Sequence, residues 1–548
     1  MKKRQLLWSF LVTTIAFTQS IAQPALIKET NTESGKGSID QIVAISPYFL
    51  PLKNGKMFFS ASDYFTAENY PYFSDGTAAG TIKLSTKKIT NQNSSAHLQV
   101  YDANKGLVYF VGKDYNDYNK EVYVTDGTPA GTKMLKDIQV GTSDSDPANF
   151  MMLGNKFLFT VTYVNTPGLW TSDGTEAGTT RISNEIYPIP NSMCLYKGKA
   201  YFLAKEGNPN DGLSEIYETD GTSAGTKKIF SVTSSSSQPT YIVAGVKGLY
   251  VNIGTYPGTM NYFNLSTKTM TELHSYKEKA FVYSTKSKDY LFVQNNADPK
   301  SLNELRETDG TVAGTKTITS LALLDFQIVA AESYIAFTAK GANGTELWVT
   351  DGTVKGTIEL DLNKGTESSN PTDLTRIGNQ IYFAAQYKTA TTDYGVEPMF
   401  TDGTVAGTKL IADMAKGAAN SNPRHFAKVT FQNVDHLVFS CIETSTKGRE
   451  AYKLPTTFIS GTEEGLIISE NLFAVQPNPT ASNFITVTTQ DNTNGIATIC
   501  NTQGTVIKKI NITAQNQQID LSNCTSGVYF LQLISEDKRV KTVKFIVQ

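Results

Sequence analysis

The chain carries the heptad Asp-Gly-Thr-x-x-Gly-Thr seven times, beginning at Asp75, Asp126, Asp173, Asp220, Asp309, Asp351 and Asp402. Five of the spacings lie between 42 and 51 residues, and the remaining one, 89, is two periods. Repetition at this length means an array of like units, each burying its apolar face on a neighbour. Inside the double gap, Tyr262-Phe263-Asn264-Leu265-Ser266-Thr267 reads as a worn copy, with Leu265 and Ser266 in place of Asp and Gly. Glu450-Ala451-Tyr452-Lys453-Leu454 reads as a ninth copy that has lost its turn. Three residues before each Asp position stands Tyr72, Tyr123, Trp170, Tyr217, Tyr262, Arg306, Trp348, Met399 or Tyr452, mostly aromatic and expected to face a core. Two residues further back is a glutamate in six copies: Glu121, Glu215, Glu304, Glu346, Glu397 and Glu450.

A second motif counts the same units. Upstream of every copy lies a short aromatic or aliphatic strand signal, from Phe58-Phe59 through Tyr109-Phe110 and Tyr201-Phe202 to Tyr382-Phe383 and Leu437-Phe439, and there are nine of them. Around Asp402 the unit divides into four strands, at residues 374–377, 380–385, 398–400 and 409–413. Four strands in this period are a propeller blade. The expected fold class is therefore all-β: a β-propeller of nine four-stranded blades, or eight if one degenerate unit is an insertion, followed by a small C-terminal β-sandwich. A ring must also close without two open edges. The last unit lacks a fourth strand after Leu454, while Leu26-Ile27-Lys28-Glu29 resembles the fourth-strand segment Leu135-Lys136-Asp137-Ile138, so the N-terminus is expected to complete the last blade.

Glu346-Leu347-Trp348-Val349-Thr350-Asp351-Gly352-Thr353 resembles the ELWxxDGT repeat of secreted bacterial proteins in full. That resemblance spans roughly residues 26–454 and implies a repeat propeller without naming a substrate. In physical terms the motif is a turn: Asp starts an Asx turn, the first Gly takes positive φ, the Thr hydroxyls bond local backbone, and the second Gly leads into the next strand. The competing reading is structural calcium, but each turn offers one carboxylate where a calcium loop needs several alternating oxygen ligands. Asp144-Ser145-Asp146 is the nearest acidic cluster and lacks the Gly and closing Glu of such a loop. No metal or cofactor is expected.

Both ends read as addresses. Lys2, Lys3 and Arg4, the apolar stretch 6–17 and Ser20-Ile21-Ala22 form a signal peptide over residues 1–22, so the mature chain is expected to start near Gln23. No segment reaches bilayer-spanning length, so no transmembrane span is expected in the mature chain. After a propeller over 23–457 and a linker over 458–470, residues 471–548 carry five alternating apolar stretches, at 484–487, 496–500, 506–510, 527–533 and 540–547. Pro477-Asn478-Pro479, Gly504, Gly527, Tyr529, Lys541 and Lys544 stand in an order that resembles the type A C-terminal sorting domain of the Bacteroidetes type IX secretion system. The resemblance implies export across the outer membrane, with type IX machinery as a partner, and a product released or held at the cell surface. Cys500 and Cys524 both fall at positions expected to face the core of this module, as two free thiols or one disulfide.

With 49 basic and 51 acidic residues, the chain has no nucleic-acid footprint. His97, His274, His425 and His436 form no pair at metal-ligand spacing, and no nucleophile elbow, phosphate loop or dinucleotide fingerprint is present. These observations point to a non-enzymatic binding or scaffold protein. The loops joining second to third strands vary most and are rich in Tyr, Asn and Asp, and on one face they join the blade-to-blade linkers. Tyr115, Tyr118, Tyr387 and Tyr394 are the candidate ligand-binding residues, for glycan or protein. Two other classes stand beside this one: an extracellular hydrolase or lyase acting on polysaccharide or peptide, and a structural surface-matrix component.

Overall fold

A computed structural model describes residues 24–28, 49–53, 55–63, 68–89, 99–113, 119–161, 167–207, 213–231, 238–254, 257–277, 279–294, 303–443, 449–456, 467–468, 472–489, 494–501, 506–522, 524–535 and 539–548. The expected signal peptide, Tyr115, Tyr118 and Gly504 lie outside them.

Among the described residues nine consecutive four-stranded antiparallel sheets follow the repeat. Blade 3 is typical, with strands Pro147–Leu153, Lys156–Val161, Gly168–Ser172 and Thr180–Arg181 in sequence order across the sheet. The second strands are the most buried, as in Lys156–Val161, where both sheet faces pack on neighbouring blades. First strands of successive blades touch one another, which places them around the central channel. Blades 6 and 7 share one 15-residue strand, Lys316–Ala330, whose first half closes blade 6 and whose second half opens blade 7. No unit is an insertion, so the count is nine. In blade 8 the third strand, Asp393–Thr401, is longer than the sequence pattern suggested, and the fourth, Lys409–Leu410, is shorter. Fourth strands soon give way to linkers that are held by side chains instead.

Closure uses the N-terminus. Ala25–Lys28 pairs antiparallel with Arg449–Pro455 as the fourth strand of blade 9, with Ala25 opposite Lys453 and Leu26 opposite Tyr452. Ile27 is 3% exposed, in a core shared with Phe59 of blade 1 and Val429 of blade 9. Lys28 Nζ donates to Thr81 O of the next blade at 2.7 Å, and Lys136 does the same to Thr179 O at 2.8 Å, so the N-terminal strand occupies a true repeat position.

Each Asp-Gly-Thr turn is a closed network. In blade 7, Asp351 Oδ1 accepts from Thr353 N at 2.8 Å and Thr353 Oγ1 at 2.7 Å, and Thr353 Oγ1 accepts from Gly356 N at 2.9 Å. Thr357 Oγ1 donates to Thr353 O at 2.7 Å, and the Thr350 and Thr357 hydroxyls meet at 2.8 Å. The hydrogen bonds from Thr353 hold the Asp351 carboxyl below its ordinary pKa. Gly352 has φ 92°, and a Cβ there would also lie 2.7 Å from the Tyr290 hydroxyl of blade 6. The second glycine needs no positive φ; it is required because a Cβ at Gly356 would overlap the Asp351 carboxylate. The worn copy keeps its Asx turn by moving it back one residue: Asn264 Oδ1 accepts from Ser266 N at 2.9 Å and Thr267 N at 3.2 Å.

The tail folds as a five-stranded sheet facing a three-stranded one. The sequence pattern found five of these strands and missed Phe473–Gln476 and Asn516–Asp520 of the smaller sheet, besides the short Ile467–Ile468. Asn478 caps the last strand, donating from Nδ2 to Lys544 O at 2.8 Å and accepting from Ile546 N at 3.1 Å. Tyr529 donates to Thr525 O at 2.8 Å and Lys541 to Phe473 O at 2.9 Å, so the motif residues tie the module together. Cys500 corrects the expectation for the thiols: Ala497 and Ile499 belong to the core, while Cys500, next along the strand, is buried on the opposite face of its sheet. Cys524 packs against the core, and both thiols are free.

Two expected outcomes follow from this architecture. Ile27→Ala should cost roughly 2–4 kcal/mol by removing a buried side chain at the ring's closure, read as a drop in the urea or thermal midpoint. Asp351→Ala and Gly356→Ala should each destabilise by roughly 1–2 kcal/mol, and the double variant by about 1 kcal/mol less than their sum, because the alanine at 356 no longer meets a carboxylate.

Candidate functional site

The face opposite the Asp-Gly-Thr turns is built on the repeated glutamate, whose role the sequence did not disclose. Glu346, at the start of a third strand, is fully buried and accepts from Leu362 N at 3.0 Å and Ser369 N at 2.8 Å, with Ser369 Oγ at 2.5 Å. Glu397 likewise holds Met414 N at 2.8 Å and Ser421 Oγ at 2.7 Å, and Glu121 holds Gln139 N at 3.0 Å and Ser145 Oγ at 2.7 Å. These three glutamates thus clasp the linkers that lead to the next blade, while Glu215 accepts from Ser231 Oγ at 2.9 Å and Glu304 pairs with Arg306 at 2.6 Å. Burial pushes the Glu121 and Glu397 carboxyls up to about 7, against the hydrogen bonds that favour their ionised forms. The partner serines share a signature that sequence reading passed over: Ser145-Asp146-Pro147, Ser369-Asn370-Pro371 and Ser421-Asn422-Pro423, with the middle residue at positive φ in all three. Asp144 and Asp146, weighed above as a cation cluster, are instead paired with Lys120 at 3.1 and 3.2 Å.

These clasped linkers carry the second-to-third hairpins. In blade 8, Gln386 N donates to Ser369 O at 2.8 Å and Lys388 N to Leu362 O at 3.0 Å, which pins the hairpin between Gln380–Lys388 and Asp393–Thr401. Tyr387 and Tyr394 are brought together there, half-buried, with ring centroids 5.5 Å apart and planes 28° apart. Gln386 Nε2 donates to Asp393 Oδ1 at 2.7 Å beside them.

The first strands hold a second group of residues that the sequence analysis did not link. Tyr241, Asp373 and His425 each stand two residues after the proline near the start of a first strand: Pro239, Pro371 and Pro423. Asp373 and His425 adopt positive φ, 59° and 62°, at the bulges that open these strands. His425 Nδ1 lies 3.0 Å from Ser440 Oγ, and burial drives its pKa well below the ordinary value. Ser440 is fully buried and donates to Arg424 O at 3.3 Å, so this Ser–His contact is a packing contact with no access for substrate. Arg424 is exposed between Pro423 and His425. Tyr283 and Cys194 sit on the first strands of blades 6 and 4, partly buried against the cores these blades share with the next, and burial raises each to about 12.

Residues 474–548 match the family model of the secretion system C-terminal sorting domain. The tail is a type IX sorting domain, and the protein is secreted across the outer membrane to the surface or beyond. No curated protein matches the chain. Among solved structures it is similar to a prolyl endopeptidase, with 13% identity, TM-score 0.38 and coverage of 72% of this chain and 54% of that one. It is also similar to PorZ, a surface component of the type IX secretion system of Porphyromonas gingivalis, with 12% identity, TM-score 0.28 and coverage of 91% and 81%. Against puromycin hydrolase the values are 12%, 0.36, and 76% and 60%. The chain spans about half the length of the prolyl endopeptidase.

The glutamate clasps set a pH dependence. A folded-state carboxyl near 7, against an ordinary 4.5, stabilises the fold fully below the ordinary value and loses that contribution as pH rises through about 7. Stability should therefore fall between about pH 5 and 8, by at most roughly 3 kcal/mol per clasp. Glu397→Gln, which keeps a neutral side chain there, should flatten part of that slope in thermal midpoints measured across this range.

Proposed function

We propose that this chain is a secreted ELWxxDGT-repeat protein of the Bacteroidetes type, a non-enzymatic binding or scaffold propeller that the type IX system delivers to the cell surface or medium. It engages a glycan or protein ligand through the linker face. The observation that carries the reading is the asymmetry of the two faces. One face is made of near-identical turns whose polar groups are spent on each other. The other presents variable hairpins on clasped linkers, with the half-buried Tyr387–Tyr394 pair offering aromatic surface and hydroxyls to a ligand.

The test is binding of the mature full-length chain to a panel of polysaccharides and surface extracts, by affinity electrophoresis and array. Paired variants Tyr387→Ala/Tyr394→Ala and Tyr115→Ala/Tyr118→Ala should weaken a specific interaction by about tenfold, about 1.4 kcal/mol. A ligand held equally well by both pairs would remove the linker-face loops from the reading, and turnover of a bound glycan would replace binding with catalysis.

A further inference from the structure

A cavity of about 290 Å³ lies where blade 9 meets the C-terminal module, close to the lower bound of about 300 Å³ for ligand cavities. Blade 9 lines it with the hairpin between Arg424–Phe431 and Val434–Ile442, whose tip residues Gln432 and Asn433 turn at φ 50° and 62°. Lys453 joins them from the strand that pairs with Ala25–Lys28 and closes the ring. The module contributes Val506 and Lys509 from Val506–Ile512, an edge strand of its five-stranded sheet.

The lining holds two lysines and no carboxylate. Lys453 Nζ stands 5.6 Å from the centre of the Phe431 ring, and burial lowers its pKa. Among the described residues neither Lys453 nor Lys509 has a hydrogen-bond or ion-pair partner, and the side chains of Gln432 and Asn433 have none either. Two nearby carboxylates are engaged elsewhere. Asp75 of blade 1, within electrostatic range of Lys453, accepts from Thr77 N at 2.9 Å and Thr77 Oγ1 at 2.7 Å. Asp435 pairs with Lys428 at 2.6 Å and accepts from Thr430 Oγ1 at 2.6 Å. His436 adds no third charge: burial lowers its pKa to about 4, and Nδ1 donates to Val434 O at 2.8 Å, leaving Nε2 as an acceptor. A partly buried ammonium without an acceptor costs free energy that an anion in the cavity would return.

We propose that this cavity binds a monosaccharide phosphate, with Lys453 and Lys509 meeting the phosphate and Gln432, Asn433 and His436 the sugar hydroxyls. A phosphate monoester carries roughly −1.5 to −2 at neutral pH, which matches two lysines, and a lysine binds it as a point charge. The amides and the imidazole Nε2 supply both donors and acceptors, as a set of hydroxyls requires. Because the two lysines come from the closing blade and the sorting module, the ligand ties the module to the ring. The site is separate from the linker-face hairpins and does not depend on the reading above.

The experiment titrates the mature full-length protein by calorimetry with the anomeric phosphates of glucose, mannose and galactose, with inorganic phosphate and with free glucose. Expected is binding of at least one sugar phosphate, with inorganic phosphate about tenfold weaker and no binding of glucose. Lys453→Ala and Lys509→Ala should each weaken the sugar phosphate by about tenfold or more, as expected for a lost charge-assisted hydrogen bond. Lys509 is exposed, so its variant keeps the test open should Lys453→Ala fail to fold. Tyr387→Ala/Tyr394→Ala should leave this affinity unchanged, which separates the cavity from the linker-face site. Binding of none of the three sugar phosphates would overturn the proposal, and so would an affinity that both lysine variants leave intact. Inorganic phosphate held as tightly as every sugar phosphate would overturn the assignment of a sugar.

Discussion

The ring depends on the four-residue strand Ala25–Lys28. A propeller is an array of blades that contact only their neighbours, so an unclosed one leaves a hydrogen-bonding edge and an uncovered sheet face at each end. Ala25–Lys28 removes both, by pairing with blade 9 and by setting Ile27 into the core between blades 9 and 1. The closure is reinforced on the turn side, where a Cβ at Gly76 of blade 1 would lie 2.7 Å from the Phe431 ring of blade 9. That is the same close approach by which Gly352 of blade 7 sits on Tyr290 of blade 6. The first blade therefore meets the last as any blade meets its predecessor.

Interior junctions are stapled on one face, the other, or both. On one face each Asp-Gly-Thr turn rests on the blade before it through a glycine that admits no side chain. On the other, a buried glutamate reaches forward to hold the linker to the next blade, as Glu346 and Glu397 do. The staples leave their own faces chemically quiet: the turn carboxylates are consumed by threonines and the clasp carboxylates by backbone amides and serines. What remains available is what the staples do not touch, namely the hairpin tips, where Tyr387 and Tyr394 lie.

How much of this the sequence disclosed follows from the range of each interaction. The Asp-Gly-Thr turns were legible because donor and acceptor lie within a few residues, as in Asp351 and Thr353. The blade count and the closing strand were legible because each was counted by a pattern independent of the turn. The glutamate was visible as a repeated letter, but its partners are 16 and 23 residues away in Leu362 and Ser369, beyond any local motif. The Ser-Asx-Pro signature would have located them had it been aligned with the same period. Tyr241, Asp373 and His425 were hidden differently: they share a position after proline but no chemistry. Cys500 was misassigned because alternation alone cannot say which face of a strand is covered. The rim tyrosines divide between Tyr387 and Tyr394, which the hairpin brings together, and Tyr115 and Tyr118, which lie outside the described residues.

The clasps also explain how buried carboxylates survive in a secreted protein that meets changing pH. An isolated buried carboxylate would lose its hydrogen bonds on one side of its titration. Here each serine has a second acceptor: Ser145 Oγ lies 3.0 Å from Lys120 O, Ser421 Oγ 3.2 Å from Val396 O and Ser369 Oγ 3.4 Å from Thr345 O. When the glutamate is ionised the serine donates to it. When the glutamate is protonated it can donate to the serine oxygen, and the serine proton turns to that carbonyl. The linker stays bonded in both states and only the energy of the clasp changes. A ring stapled this way keeps the geometry of its linker face while its stability shifts with pH.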